Sequence, residues 1–122
     1  MPDLATLKLL ERPQLQGRVV QYSDAQHLLL IDGVIIPCTQ SEYDLLLPLL
    51  IYAGEPVPFA RLLGTQESQI LTQGMRRSLT QQMSRLRNRV WPFNLDILCL
   101  NSYGYLLLSR LDEQADEREA SP

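Results

Sequence analysis

The spacing of apolar residues along the chain changes period twice, and the changes mark three zones. Residues 18–22, 27–31 and 34–38 are short apolar runs, separated by Ser23-Asp24-Ala25-Gln26 and by Asp32-Gly33. Runs of this length, bounded by turn residues, read as strands. Asp-Gly between two of them predicts a tight hairpin, because such a turn needs positive φ at its central residues. The first zone is therefore expected to be an antiparallel sheet. Ahead of it, Leu4, Leu7, Leu9, Leu10 and Leu15 make a loose pattern that fits either a short helix or an extended arm.

The second zone has helical period. Thr39-Gln40-Ser41-Glu42 has the form of a capping box, in which the Thr side chain accepts from the N3 amide and the Glu returns a bond to the cap. Tyr43, Leu45, Leu46, Leu49, Leu50, Tyr52 and Ala53 follow as the apolar side of a helix, with Gly54 placed to end it. Pro48 lies inside and predicts a kink, since it lacks an amide and crowds the carbonyl four residues back. Leu47 and Ile51 add apolar surface that is either buried in the core or left for a partner. Pro58 suits the first position of a short helix through Leu63, and 64–74 is polar and reads as a loop. A third helix is expected over 75–91, where Leu79, Met83, Leu86 and Val90 recur as one stripe and Pro92 stops the run. Short apolar runs then return at 96–101 and 105–109, a second hairpin turning around Ser102-Tyr103-Gly104.

Length limits these elements to one core, so the expected organisation is an N-terminal arm (1–16), a folded domain (17–110) and an acidic, disordered tail (111–122). The net charge of −3 argues against a polyanionic partner until it is resolved along the chain. Between 70 and 110, six arginines stand against Asp96 alone. Between 111 and 122, five acidic residues stand against Arg118. The tail is read as a solvated end or as a competitor for the basic helix. Cys38 and Cys99 are too few for a disulfide framework and sit in apolar runs, and His27 has no ligand cluster around it, so neither a disulfide nor a metal is expected. No cofactor is implied. No apolar run suits a bilayer and no signal peptide is visible, which places the chain in the cytoplasm of a bacterium. Paired catalytic carboxylates, a nucleophile elbow and a glycine-rich phosphate loop are all missing, so an enzyme is not expected.

The helix over 75–91 carries the candidate chemistry. A major groove admits one α-helix, which needs an apolar back, donors for phosphates, and amide or guanidinium groups for base edges. Arg77, Gln81, Ser84, Arg85 and Asn88 share the face opposite the apolar stripe. Arg pairs with guanine, and Gln or Asn with adenine, which suits Arg85, Gln81 and Asn88 to reading bases.

These motifs, in this order, resemble the OmpR/PhoB-type winged-helix effector domains of bacterial response regulators. Thr39-Gln40-Ser41-Glu42-Tyr43-Asp44-Leu45-Leu46 is similar to the start of that family's first helix, and Gly54-Glu55-Pro56-Val57 leads similarly to Leu62-Leu63. The run from Arg77 through Ser78-Leu79-Thr80-Gln81-Gln82-Met83-Ser84-Arg85-Leu86 to Arg87 is similar to its recognition helix, and Tyr103-Gly104-Tyr105 to its wing. The resemblance implies an α+β fold, a winged helix-turn-helix with an N-terminal antiparallel sheet, three helices and a C-terminal β-hairpin wing. It also implies that Thr80, Gln81, Ser84 and Arg85 face bases, and that Arg77, Gln82 and Arg87 touch phosphates or brace the helix; Asn88, on the same face, is expected among the base readers, and Arg76 and Arg89 among the phosphate contacts. Asn101, Ser102, Tyr103 and Arg110 would belong to the wing. Asn101-Ser102 and Leu106 stand where the family carries arginine, with Arg110 as a partial substitute, and Phe59 stands where the family tends to carry another. The chain has no room for a receiver domain.

The resulting expectation is a sequence-specific regulator that binds double-stranded DNA, as a homodimer or as head-to-tail copies, with RNA polymerase or another regulator as further partners. The alternative is a winged-helix adaptor that binds a protein through Leu47, Ile51 or the 64–74 loop.

Overall fold

The computed structural model describes residues 7–64, 72–100 and 103–110. Its elements run β1 (Lys8–Leu10), β2 (Val20–Ser23), β3 (Leu28–Ile31), β4 (Val34–Ile35), α1 (Gln40–Ile51), β5 (Val57–Pro58), α2 (Phe59–Leu63), α3 (Gln73–Val90), β6 (Leu95–Leu100) and β7 (Gly104–Ser109). The first four strands form one antiparallel sheet in sequence order, and β5-β7-β6 form a second.

Local chemistry explains the first sheet. Asp32 and Gly33 take φ of 52° and 79°, both positive as the hairpin turn requires. The turn is tied back to the neighbouring strand, because Asp32 Oδ1 accepts from the Val19 amide at 2.9 Å. Of the ambiguous N-terminal leucines, Leu4 lies outside the described residues, and Leu9 and Leu10 are extended: β1 pairs with β2, Leu9 opposite Gln21. A 3-10 turn at Pro13–Leu15 then delivers Leu15, fully buried, into the core. A three-residue strand has no signal of its own; the pairing partner is what makes it a strand.

The capping box forms as expected, the Glu42 amide donating to Thr39 Oγ1 at 3.2 Å and the Thr39 amide to Glu42 Oε1 at 2.9 Å. α1 is helical on both sides of Pro48 and ends at Ile51 with Tyr52 as its cap, so Gly54, at φ 84°, lies beyond the cap. Leu47 and Ile51 are half-buried, and Leu47 packs against the core. Pro58 differs from its predicted role. With ψ of 152° it is extended, pairs within β5 and caps α2 from outside. An edge strand tolerates proline because the missing donor faces away from the ladder.

β5 lies so close to β7 that a Cβ on Gly104 would sit 1.9 Å from the Val57 carbonyl oxygen. Glycine at 104 is therefore a packing requirement of the second sheet. α3 starts two residues before the predicted Met75, because Thr72 Oγ1 accepts from the Met75 amide at 3.1 Å and Gly74 is taken into the helix. It gives way at Trp91–Phe93 to a 3-10 turn containing Pro92. Leu79, Met83, Leu86 and Val90 face a core shared with Leu46, Leu49 and Leu50 of α1, Ile31 of β3, and Leu95 and Leu107 of the hairpin. Among the described residues no helix is long and apolar enough to cross a membrane.

Candidate nucleic-acid interface

One side of α3 is committed to the core. Thr80, Gln81, Ser84, Arg85 and Asn88, the predicted base-facing residues, are all exposed on the other side, as is Arg77. No carboxylate among the described residues pairs with Arg77 or Arg85. Thr80 is partly occupied, since its hydroxyl donates to the Arg76 carbonyl one turn back at 2.8 Å. It also borders a groove of about 230 Å³ between helix and hairpin, lined further by Met83, Ser84, Arg87, Ile97, Cys99 and Tyr105. Burial pushes the Tyr105 phenol above its ordinary value, so it stays neutral. Cys99 is exposed here rather than buried in an apolar run, while Cys38 is half-buried, and both thiols are free.

The residues predicted to touch phosphate divide. Arg76 is exposed and its guanidinium lies 5.8 Å from the Phe59 ring centre, so Phe59 seats an arginine of the neighbouring helix. Gln82 is half-buried on the flank of α3. Arg87 donates through Nε to Asp96 Oδ1 at 2.6 Å, and Asp96 is nearly inaccessible and also accepts from the Ile97 amide. Arg87 is thus a brace between α3 and β6. Arg89 is a second brace, because its guanidinium donates to Glu42 at the start of α1. Burial alone would raise the Glu42 carboxyl. The Arg89 guanidinium and the Thr39 amide and hydroxyl outweigh it and hold the group below the usual carboxylate range. The same bond raises Arg89 further.

Arg110 also departs from its predicted place. The tip of the hairpin is where Leu100 faces Gly104, and the base is where Leu95 faces Ser109. Arg110 follows the base, roughly 20 Å from the tip at strand rise. Its amide donates to the Asn94 carbonyl at 2.7 Å, and its guanidinium lies 3.3 Å from the Trp91 ring centre, so it cannot replace a wing-tip arginine. Of the predicted wing residues, Tyr103 is 54% exposed, and Asn101 and Ser102 lie outside the described residues. Sequence reading missed Glu42 and Asp96 as countercharges and Trp91 as a platform. A partial signal was available: residues two apart on a helix do not face each other, so Arg87 could not have shared a partner with Arg85 and Arg89, whereas Arg85 and Arg89, one turn apart, are told apart only by the fold.

No protein-family model and no curated protein matches the sequence. The likeness to solved structures is three-dimensional. The DNA-binding domain of CpxR from E. coli superposes with a TM-score of 0.59 at 21% identity, covering 84% of this chain and 98% of that one. The Klebsiella pneumoniae RstA DNA-binding domain, solved in complex with the RstA box, gives 0.56 at 20% identity with the same coverage. The DNA-binding domain of the response regulator AdeR, in complex with an intercistronic region, gives 0.55 at 16% identity, covering 74% of this chain and 93% of that one. With its two sheets, three helices and β6–β7 wing, the chain has the winged helix-turn-helix fold of these response-regulator DNA-binding domains.

Proposed function

We propose that the chain is a sequence-specific transcription regulator that binds double-stranded DNA by laying the outward face of α3 in the major groove. The observation that carries this reading is the sorting of the arginines on α3. Arg87 and Arg89 are neutralised by buried carboxylates, whereas Arg77 and Arg85 project beside Gln81, Ser84 and Asn88 with no carboxylate partner among the described residues. Phosphate-directed and base-directed donors are thus left on one face of a rigid helix, the combination that groove reading needs. The similar domains of RstA and AdeR were solved on DNA, which supports the same partner here. With Arg110 at the base of the hairpin, binding by one copy is weak. Tight binding then takes a second copy on adjacent sites or another regulator, and the working compartment is the bacterial cytoplasm. Selection of bound duplexes from a random pool tests the reading. A shared short motif should emerge, with affinity falling as salt rises at a log–log slope of roughly −2 to −4, for a few phosphate contacts. No enrichment at low salt, together with co-purification of a protein partner, would instead make the chain an adaptor.

A further inference from the structure

The outward face of α3 is a positively charged helix surface without a carboxylate partner among the described residues, and the chain itself carries a segment of opposite charge. Besides Arg118, within that segment, ten cations are available. Lys8 pairs with Asp24, Arg12 with Glu55, Arg87 with Asp96 and Arg89 with Glu42. Arg18 donates to the Leu15, Phe93 and Asn94 carbonyls and to Ser109, and Arg61 stacks on Tyr52. Arg76, Arg77, Arg85 and Arg110 remain, along α3 and at its C-terminal end, with no carboxylate partner among the described residues.

Arg110 fixes where the following segment begins. Its amide and Nη1 donate to the Asn94 and Trp91 carbonyls at 2.7 and 3.1 Å, immediately beyond the last turn of α3. Trp91, on which it stacks, lines a recess together with Ser84, Arg87 and Asn88, so Arg110, the last described residue, lies beside the outward face. Residues 111–122 carry Asp112, Glu113, Asp116, Glu117 and Glu119 against Arg118, a net charge of −4, equal in size to the charge of the four arginines without a carboxylate partner among the described residues. Twelve residues span up to roughly 40 Å when extended, and the 18 residues of α3 are about 27 Å long, so the segment can reach every one of those arginines.

We infer that the acidic segment 111–122 docks on the outward face of α3 and competes there with DNA. The inference rests on the DNA-binding reading for its consequence but not for the contact itself. Tethering holds the segment at an effective concentration on the order of millimolar, so a set of individually weak, salt-screened ion pairs is enough to occupy the face.

The test uses the full chain with Asp112→Asn, Glu113→Gln, Asp116→Asn, Glu117→Gln and Glu119→Gln combined, beside the unsubstituted protein. Without DNA, neutralisation should shift the backbone amide resonances of Arg77, Gln81, Ser84, Arg85 and Asn88, and leave those of β1–β4 in place. Affinity for a mixed-sequence duplex at low salt should rise about 3- to 10-fold, the gain vanishing at high salt. Unmoved α3 resonances overturn the inference even if affinity rises, since the tail then acts only through its long-range field. Shifted resonances with measurable but unchanged DNA affinity overturn the competition. Shifted resonances with no DNA binding by either protein uphold the contact and sink the DNA-binding reading instead.

Discussion

Arg89 and Arg85 stand one helical turn apart on α3 and do different work. The Arg89 side chain is 31% exposed and closes on Glu42, whose side chain is 3% exposed. Arg85 projects from the same helix with no carboxylate near it among the described residues. Arg87 and Arg77 repeat the contrast. Position relative to buried carboxylates, and not residue type, separates the part of α3 that holds the domain together from the part left exposed. A buried carboxylate without its countercharge is costly, whereas an exposed guanidinium without one is not.

The largest effect that would break this division is expected from Arg89→Ala. Leaving Glu42 buried and unpaired should cost about 3 kcal/mol in urea unfolding, while DNA affinity of the folded protein changes by less than about twofold, within the scatter of a surface substitution. Lost binding with unchanged stability would reassign Arg89 to the interface. Acid sharpens the same point. The folded Glu42 carboxyl titrates below its ordinary value of 4.5, so its contribution to stability is full above 4.5 and is lost as pH falls through the folded value. In Arg89→Ala the guanidinium's lowering of Glu42 is gone, and the carboxyl takes up a proton more readily. The gap between the variant and the parent should therefore shrink as pH is lowered from 7 toward the carboxylate range, and a constant gap would show that the pair carries no linkage.

Arg85→Ala comes next in size. Stability should stay within about 0.5 kcal/mol, and affinity for the selected duplex should fall roughly tenfold with relaxed preference at one or two base pairs. A uniform loss across sequences would make Arg85 a phosphate contact. Arg77→Ala should give the smallest change, a few-fold weakening on every sequence with a salt slope shallower by about one. Sequence-selective loss there would exchange the two roles.

Much of the framework was legible because its causes are local. The capping box at Thr39 and Glu42, the positive-φ turn at Asp32-Gly33 and the Leu79–Met83–Leu86–Val90 stripe each depend on residues within a few positions of one another. β1 and β5 were not legible: each is two or three residues long and exists through its pairing with β2 or β7. The exposed face of α3 was legible from its periodicity, but its flanks were not. Glu42 lies 47 positions before Arg89, and Arg87 has Asp96 beyond a helix end and a 3-10 turn.

By itself the sequence determined that a capped helix, a basic amphipathic helix and two hairpins follow one another, and which side of the basic helix is apolar. Only the tertiary structure decided which arginines meet buried carboxylates, that Arg110 sits at the base of the hairpin against Trp91, and that Gly104 is glycine because the Val57 backbone passes over it. Hydrogen bonds within a turn and the period of a helix are properties of neighbours in the chain. Neutralisation of a charge and close approach of two backbones depend on what folding brings alongside, and a burial cost is set by that neighbour rather than by the residue's own identity.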